Sequence, residues 1–189
     1  MEPTMTTRDP KWAPPSGYDV RVVRTGKRQD AVGTSETAGS AIPAMDWILD
    51  TGASVSDTLI AWDRGDLAPL PVGTAWDVVR LQQPAGWAAI RMLHKMGAPL
   101  GPVLYAHLAV EVPVPVHAAD DWNLPGATVL GVGETLLVPH ARIVAPRTQH
   151  GRTWIVAPHQ QPVLTDADDL YGAYFAALAK AGEKRGVLR

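Results

Sequence analysis

Residues 76–97 have the sequence WDVVRLQQPAGWAAIRMLHKMG, and this stretch decides the fold class. Residues 76–81 alternate in polarity and are rich in β-branched side chains, which predicts a strand. Pro84 then opens a helix and Gly97 ends it, because proline suits a first helical position and glycine a C-terminal cap. The large apolar side chains of that helix, at Trp87, Ile90 and Leu93, fall on one face. A strand followed at once by an amphipathic helix predicts a sheet with helices packed against it.

The remaining sequence continues this alternation of short elements. Ser54 and Thr165 are predicted to cap helices, Pro113 is predicted to end a strand, and residues 70–73 are predicted to form an extended turn. The predicted elements are helices at 43–49, 54–62, 84–96 and 166–181, and strands at 76–81, 101–105, 107–112, 127–132, 135–138 and 152–156. We therefore predict an α+β fold in which a mixed or antiparallel sheet is flanked by helices.

The same periodicity predicts which side chains form the core. They are Val78, Leu81, Ile90, Leu93, Val103, Leu108, Val110, Leu130, Leu136, Val138 and Ile155.

Composition excludes several classes of protein. The chain has 189 residues and a net charge of -2. It contains no cysteine, and this absence excludes disulfides, thiol catalysis and cysteine-ligated zinc. No apolar run approaches the ~18 residues of a membrane span, and the polar start is not typical of a signal peptide. We expect a cytoplasmic protein without membrane contact.

The division of the chain follows from where the apolar pattern begins. Residues 1–40 are polar and rich in Gly and Pro, and we interpret them as a mobile N-terminal arm. Residues 41–182 are predicted to form a single domain, and residues 183–189 a tail. Within the arm, Trp12 is a candidate anchor for a partner, or else a side chain that covers an edge of the core.

Charge is distributed unevenly. Residues 41–79 carry a net charge of -5, whereas residues 135–165 contain three arginines and three histidines and no acid. Arg142, Arg147 and Arg152 are therefore candidate phosphate contacts. The alternative is a solvated hairpin tip, or a hairpin docked against the acidic half of the same molecule. No histidine pair has the spacing of metal ligands on a helix, and we predict neither a metal site nor a cofactor.

Residues 49–54, with the sequence LDTGAS, match the signature of aspartic proteases around Asp50. In that chemistry two aspartates share a proton and activate a water, so a single copy requires a homodimer. The alternative is a glycine turn between the two predicted helices.

Three other stretches resemble the bifunctional DNA primase/polymerase (prim-pol) domain, in the short divergent form found in actinobacterial proteins. Residues 107–113, HLAVEVP, are similar to the family strand that begins with a nucleotide-contacting histidine, here His107. Residues 133–139, GETLLVP, and 151–154, GRTW, are similar to the family hairpin and its later strand. The resemblance covers about residues 70–158 and implies a prim-pol-like α+β domain.

The family's catalytic carboxylates have no counterpart in this sequence. The resemblance places the metal-binding pair at Val79 and Leu81 and the third aspartate at Thr128, none of which can hold a divalent cation. It also places residues 104–106, LYA, where the family has small residues, which would crowd a triphosphate. These substitutions imply a degenerate, non-catalytic relative.

We therefore expect a non-catalytic prim-pol-like binding or regulatory module. It would act through an unknown protein partner or a second copy of itself, with weak contacts to nucleic acid through His107 and the three arginines. One alternative is an active metal-dependent nucleotidyltransferase with a relocated site near Asp77, His107 and Arg142. The other is the retropepsin-like aspartic protease at Asp50.

Overall fold

A computed structural model describes residues 44–159 and 163–186, with side chains over 46–159 and 163–182. The described residues belong to one compact unit of the chain. The predicted arm at 1–40, with Trp12, lies outside the described residues. The predicted boundary between arm and domain therefore stays a prediction.

Four helices and seven strands make up the described part of the chain. The helices are α1 (Ala44–Leu49), α2 (Val55–Asp63), α3 (Ala85–Met96) and α4 (Ala167–Gly186). The strands are β1 (Ala68–Pro71), β2 (Asp77–Gln82), β3 (Val103–Ala106), β4 (Ala109–Val114), β5 (Ala127–Leu130), β6 (Thr135–Val138) and β7 (Thr153–Val156).

The strands form two sheets. Five strands pair in the order β5-β2-β4-β3-β7, and β1 pairs with β6 in a second, two-stranded sheet. Every pairing between these strands is antiparallel. Helices together with antiparallel sheets confirm the predicted α+β class.

The five-stranded sheet buries side chains on both faces. Val79 and Leu81 of β2 pack with α3 and α4 in a first core cluster, whereas Val78 packs in a second core cluster on the opposite face. The second cluster lies among α1, α2 and the two-stranded sheet, and it contains Trp62, Trp76 and Trp154, with Trp47 stacked on Trp76 at 4.8 Å between ring centroids. Four of the chain's tryptophans therefore lie in this cluster or pack against it.

Most of the predicted core is confirmed, and two residues are corrected. Leu108 is 66% exposed and Ile155 is half-buried. Leu108 has a φ of 64° in the two-residue turn between Ala106 and Ala109, which are paired across β3 and β4. The sequence pattern alternates through this turn, so it predicted a continuous strand from 107 where the chain in fact reverses direction.

Pro113 was wrongly predicted to end its strand. It lies within β4, opposite Val78 of β2. On the other side, β3 pairs with β4 only up to Glu111. Beyond that residue β4 is an edge on that side, where a proline without an N–H is tolerated.

Residues 70–73 are also corrected, because Leu70 and Pro71 belong to β1 and pair with β6 more than sixty residues later. A pairing so distant along the chain leaves no local signal in a four-residue strand.

The helix caps agree with the sequence in one case and differ in the other. The Ser54 hydroxyl accepts the N–H of Asp57 at 3.3 Å, as predicted. At α4, by contrast, Asp166 caps the helix by accepting the N–H groups of Asp168 and Asp169, both at 3.0 Å. The Thr165 hydroxyl instead accepts the N–H of Gly101 at 3.0 Å, which ties the start of α4 to the segment before β3.

No helix in the described ranges is both long enough and apolar enough to cross a membrane.

The close approach of α3 to the sheet gives a direct test of the fold. A Cβ at Gly86 would lie 2.7 Å from the Leu81 Cβ and 2.7 Å from the Val110 Cγ2, whereas a Cβ at Gly172 of α4 would meet nothing within 4 Å. We expect Gly86→Ala to lower the free energy of unfolding by about 1–3 kcal/mol through overpacking. Gly172→Ala should raise it by roughly 0.5–1 kcal/mol, because alanine favours the helix. Urea unfolding of both variants measures the difference, and stabilisation by Gly86→Ala would contradict the placement of α3.

Candidate functional site

A cross-strand row of five residues runs through the whole five-stranded sheet on the face opposite α3 and α4. Each member is paired with the next across neighbouring strands, in the order Thr128, Arg80, Glu111, Leu104 and Trp154. Directly paired residues project from the same face of a sheet. Leu104 and Trp154 belong to the second core cluster, so the apolar end of the row is covered.

Glu111 is the polar centre of this row, and its side chain is fully buried. Its Oε1 accepts the Nε–H of Arg80 at 2.8 Å and lies 2.7 Å from the Arg80 Nη2. Its Oε2 accepts from the Arg152 Nη1 at 2.6 Å. The same Nη1 donates to the carbonyl of Leu137 at 3.0 Å. One carboxylate thus fixes two guanidinium groups from opposite sides of β4.

Beside these groups the sheet face opens into a cleft of about 330 Å³. The cleft is open because the β3–β4 hairpin contributes only the small side chains of Ala106 and Ala109 to its floor, and two histidines also line it. The cleft is lined by Arg80, Ala106, His107, Ala109, Glu111, His150 and Arg152. Of residues 104–106, Ala106 alone lines this cleft, and the expected crowding of a triphosphate stays a prediction.

The electrostatics of the cleft favour an anion. Two arginines and one glutamate leave a formal charge of +1. The Arg80 Nη1, and the Nε and Nη2 of Arg152, form no hydrogen bond with any described residue. Positively charged donors therefore remain beside an open cleft.

The segment that carries Arg152 is held against the end of α2. The Gln149 side-chain amide donates to the carbonyl of Asp66 at 2.8 Å, and the His150 Nε2 lies 3.0 Å from the carbonyl of Gly65. The basic hairpin therefore docks against the acidic half of the molecule, which was one of the two alternatives to a phosphate patch. This docking places His150 and Arg152 at the cleft.

The surroundings of His140 favour its neutral form. It stacks on Trp62 with ring centroids 4.7 Å apart. Burial and then the neighbouring Arg142 guanidinium lower its pKa, against a smaller opposing effect of Asp63. Its Nδ1 accepts the N–H of Arg142 at 3.0 Å, which requires that nitrogen to be unprotonated.

The structure brings together only some of the candidate residues. His107 and Arg152 share the cleft, whereas Arg142 and Arg147 are exposed and do not line it. Sequence analysis missed Arg80, Glu111 and His150. The one signal for them was a charged side chain in each of two apolar strands, at Arg80 and Glu111, since such charges are rarely buried unless they are paired.

The sites of the alternative hypotheses are not assembled. Asp77 and His107 lie at opposite ends of the β2–β4 pairing, about 17 Å apart along the strands. The three positions to which the resemblance assigns the family's catalytic carboxylates lie on different faces of the sheet. Val79 and Leu81 pack against the helices, whereas Thr128 pairs with Arg80 on the opposite face.

Asp50 is exposed in the turn between α1 and α2, where its N–H donates to the carbonyl of Asp46 at 3.0 Å. This is the glycine turn considered as the alternative, with Gly52 at a φ of 78°. The protease site would instead follow a strand.

In comparisons with known proteins, no family model, no curated protein and no solved structure matches the chain.

Proposed function

We propose that this chain is a non-catalytic binding module that holds a phosphate-bearing ligand, a nucleotide or a single-stranded nucleic-acid backbone, in the cleft. The proposal includes the prim-pol-like ancestry and the cytoplasmic, regulatory role expected from the sequence. The observation that carries it is the pair of arginines, Arg80 and Arg152, fixed at an open cleft by the buried Glu111.

Fixed arginines support binding because their side chains have already lost conformational entropy before the ligand arrives. A free arginine loses considerable side-chain entropy when it grips an anion. Here Glu111 already restricts both guanidinium groups, and each retains donors that make no bond within the described structure. Arginine donors match phosphate oxygens in spacing and charge.

The size and charge of the cleft limit what it binds. A volume of about 330 Å³ is at the small end of ligand pockets, which suits a phosphate with part of its sugar. A formal charge of +1 predicts modest, salt-sensitive affinity, with Kd on the order of 10⁻⁴–10⁻⁶ M for sequence-blind contacts to nucleic acid.

The carboxylates support the proposal that the cleft does not catalyse nucleotidyl transfer. Glu111 is the one acid that lines the cleft among the described residues, and both its oxygens are engaged by arginine. Nucleotidyl transfer needs carboxylates that hold two divalent cations at the reacting phosphate.

Binding can be tested with four charge-matched variants. We expect Arg80→Gln and Arg152→Gln each to weaken the binding of a fluorescent nucleoside triphosphate about tenfold, the loss of a charge-assisted hydrogen bond. Arg142→Gln and Arg147→Gln change the net charge equally but lie outside the cleft, so their Kd should stay within about twofold of wild type. Fluorescence anisotropy at low salt measures all four, with thermal melting to establish that each variant is folded. Equal losses in all four would replace the cleft with a diffuse basic patch, and absence of binding to wild type would refute the proposal.

Catalysis is tested separately by primer extension. We expect no template-dependent synthesis with Mg²⁺ or Mn²⁺, because no described residues bring carboxylates together at the cleft. Asp77→Asn serves as the control for a relocated site. Synthesis by wild type that disappears in this variant would show that the chain is an enzyme.

A further inference from the structure

A second cluster of polar side chains lies at the end of the β2–β4 pairing remote from the cleft. Asp77 begins β2 opposite Val114, and the loop that follows β4 carries His117 and Asp120. One nitrogen or oxygen atom from each of Asp77, His117 and Asp120 lies within 4.8 Å of the others. Two carboxylates and an imidazole therefore converge from a rigid strand and an adjacent loop.

Asp77 is the unusual member, because it is a carboxylate that is only 3% exposed. Its Oδ2 accepts the N–H of His117 at 2.7 Å, and the described residues provide it with no other hydrogen bond and no Arg or Lys partner. A buried carboxylate is costly unless positive charge or several donors compensate it. Its second oxygen accepts no hydrogen bond from the described residues and is not closed off from solvent, so it is accessible to a cation.

The other two members are exposed and already paired. The His117 Nδ1 lies 3.0 Å from the Asp120 Oδ2, and both side chains are more than half exposed. They can move toward Asp77 without disturbing the core. Ligand atoms about 2.0–2.2 Å from a metal ion stand closer together than 4.8 Å, so binding requires only this movement of surface side chains.

We propose that Asp77, His117 and Asp120 bind a divalent transition-metal ion of the Zn²⁺ class. Carboxylate oxygen and imidazole nitrogen are both ligands of Zn²⁺, and three protein ligands leave a fourth position for water. The ion places positive charge beside the carboxylate of Asp77 and replaces the contact between His117 and Asp120. It ties the loop after β4 to the first residue of β2, so it stabilises the folded state.

The test is calorimetric titration of the untagged, chelator-treated full chain with Zn²⁺. We expect one ion per chain, and binding at least about tenfold weaker in His117→Ala and in Asp120→Asn, because even supporting residues of metal sites contribute this much. Asp121→Asn, at the next position, and His159→Ala, an exposed histidine elsewhere, are the matched controls and should bind as wild type does.

Thermal melting gives a second readout. Zn²⁺ should raise the melting temperature of wild type and both controls, and leave that of His117→Ala unchanged. The proposal is overturned if wild type does not bind Zn²⁺, or if the ligand variants bind as tightly as the controls, which would indicate adventitious binding to surface histidines. Because Asp77→Asn could impair folding, the two exposed ligands carry the test.

Discussion

The ion-paired carboxylate of Glu111 is the interaction on which the organisation of the sheet face depends. A fully buried glutamate in the central strand is tolerated because three nitrogens of two arginines surround it, at 2.6–2.8 Å. Removal of one arginine would leave the buried carboxylate with only the other as a partner, and such partial loss of compensation is more costly than the intact group is stabilising. Glu111 thereby fixes Arg80 on β2 and Arg152 before β7 relative to β4. These two arginines form the positively charged side of the cleft.

The second core cluster decides how much of that face is left open. Leu104 and Trp154 lie on the same cross-strand row as Glu111 but are covered by α1, α2 and the two-stranded sheet. The tryptophans fill this layer, with the Trp154 Nε1 donating to the Pro139 carbonyl at 3.2 Å. The cover ends at Glu111, and on the hairpin side of Glu111 the β3 and β4 side chains on this face are the small ones of Ala106 and Ala109. Burial on one side of the row and small side chains on the other produce the cleft.

The sequence predicted the local elements well, because their periodicity and caps are encoded within a few residues. Helix α3, for example, ends at Gly97 with a φ of 72°, as the glycine predicted. The sequence pattern could not predict the pairing of β1 with β6 or the proximity of Arg80 to Arg152, since these depend on contacts between distant parts of the chain. The resemblance had made His107 a candidate residue, and the charge distribution had made Arg152 one. Glu111 was missed because it lies among valines that read as an ordinary buried strand.

The coupling between Glu111 and Arg152 tests the central claim most directly. Urea unfolding of Glu111→Gln, Arg152→Gln and the double variant gives their interaction free energy, with Glu111→Gln and Arg142→Gln as the matched control cycle. We expect a coupling of about 1–3 kcal/mol for the first cycle, in the range of residues that share a buried ionic contact, and additive effects within about 0.5 kcal/mol for the control. Additivity in both cycles would show that Glu111 does not hold Arg152, and the account of the cleft would be wrong.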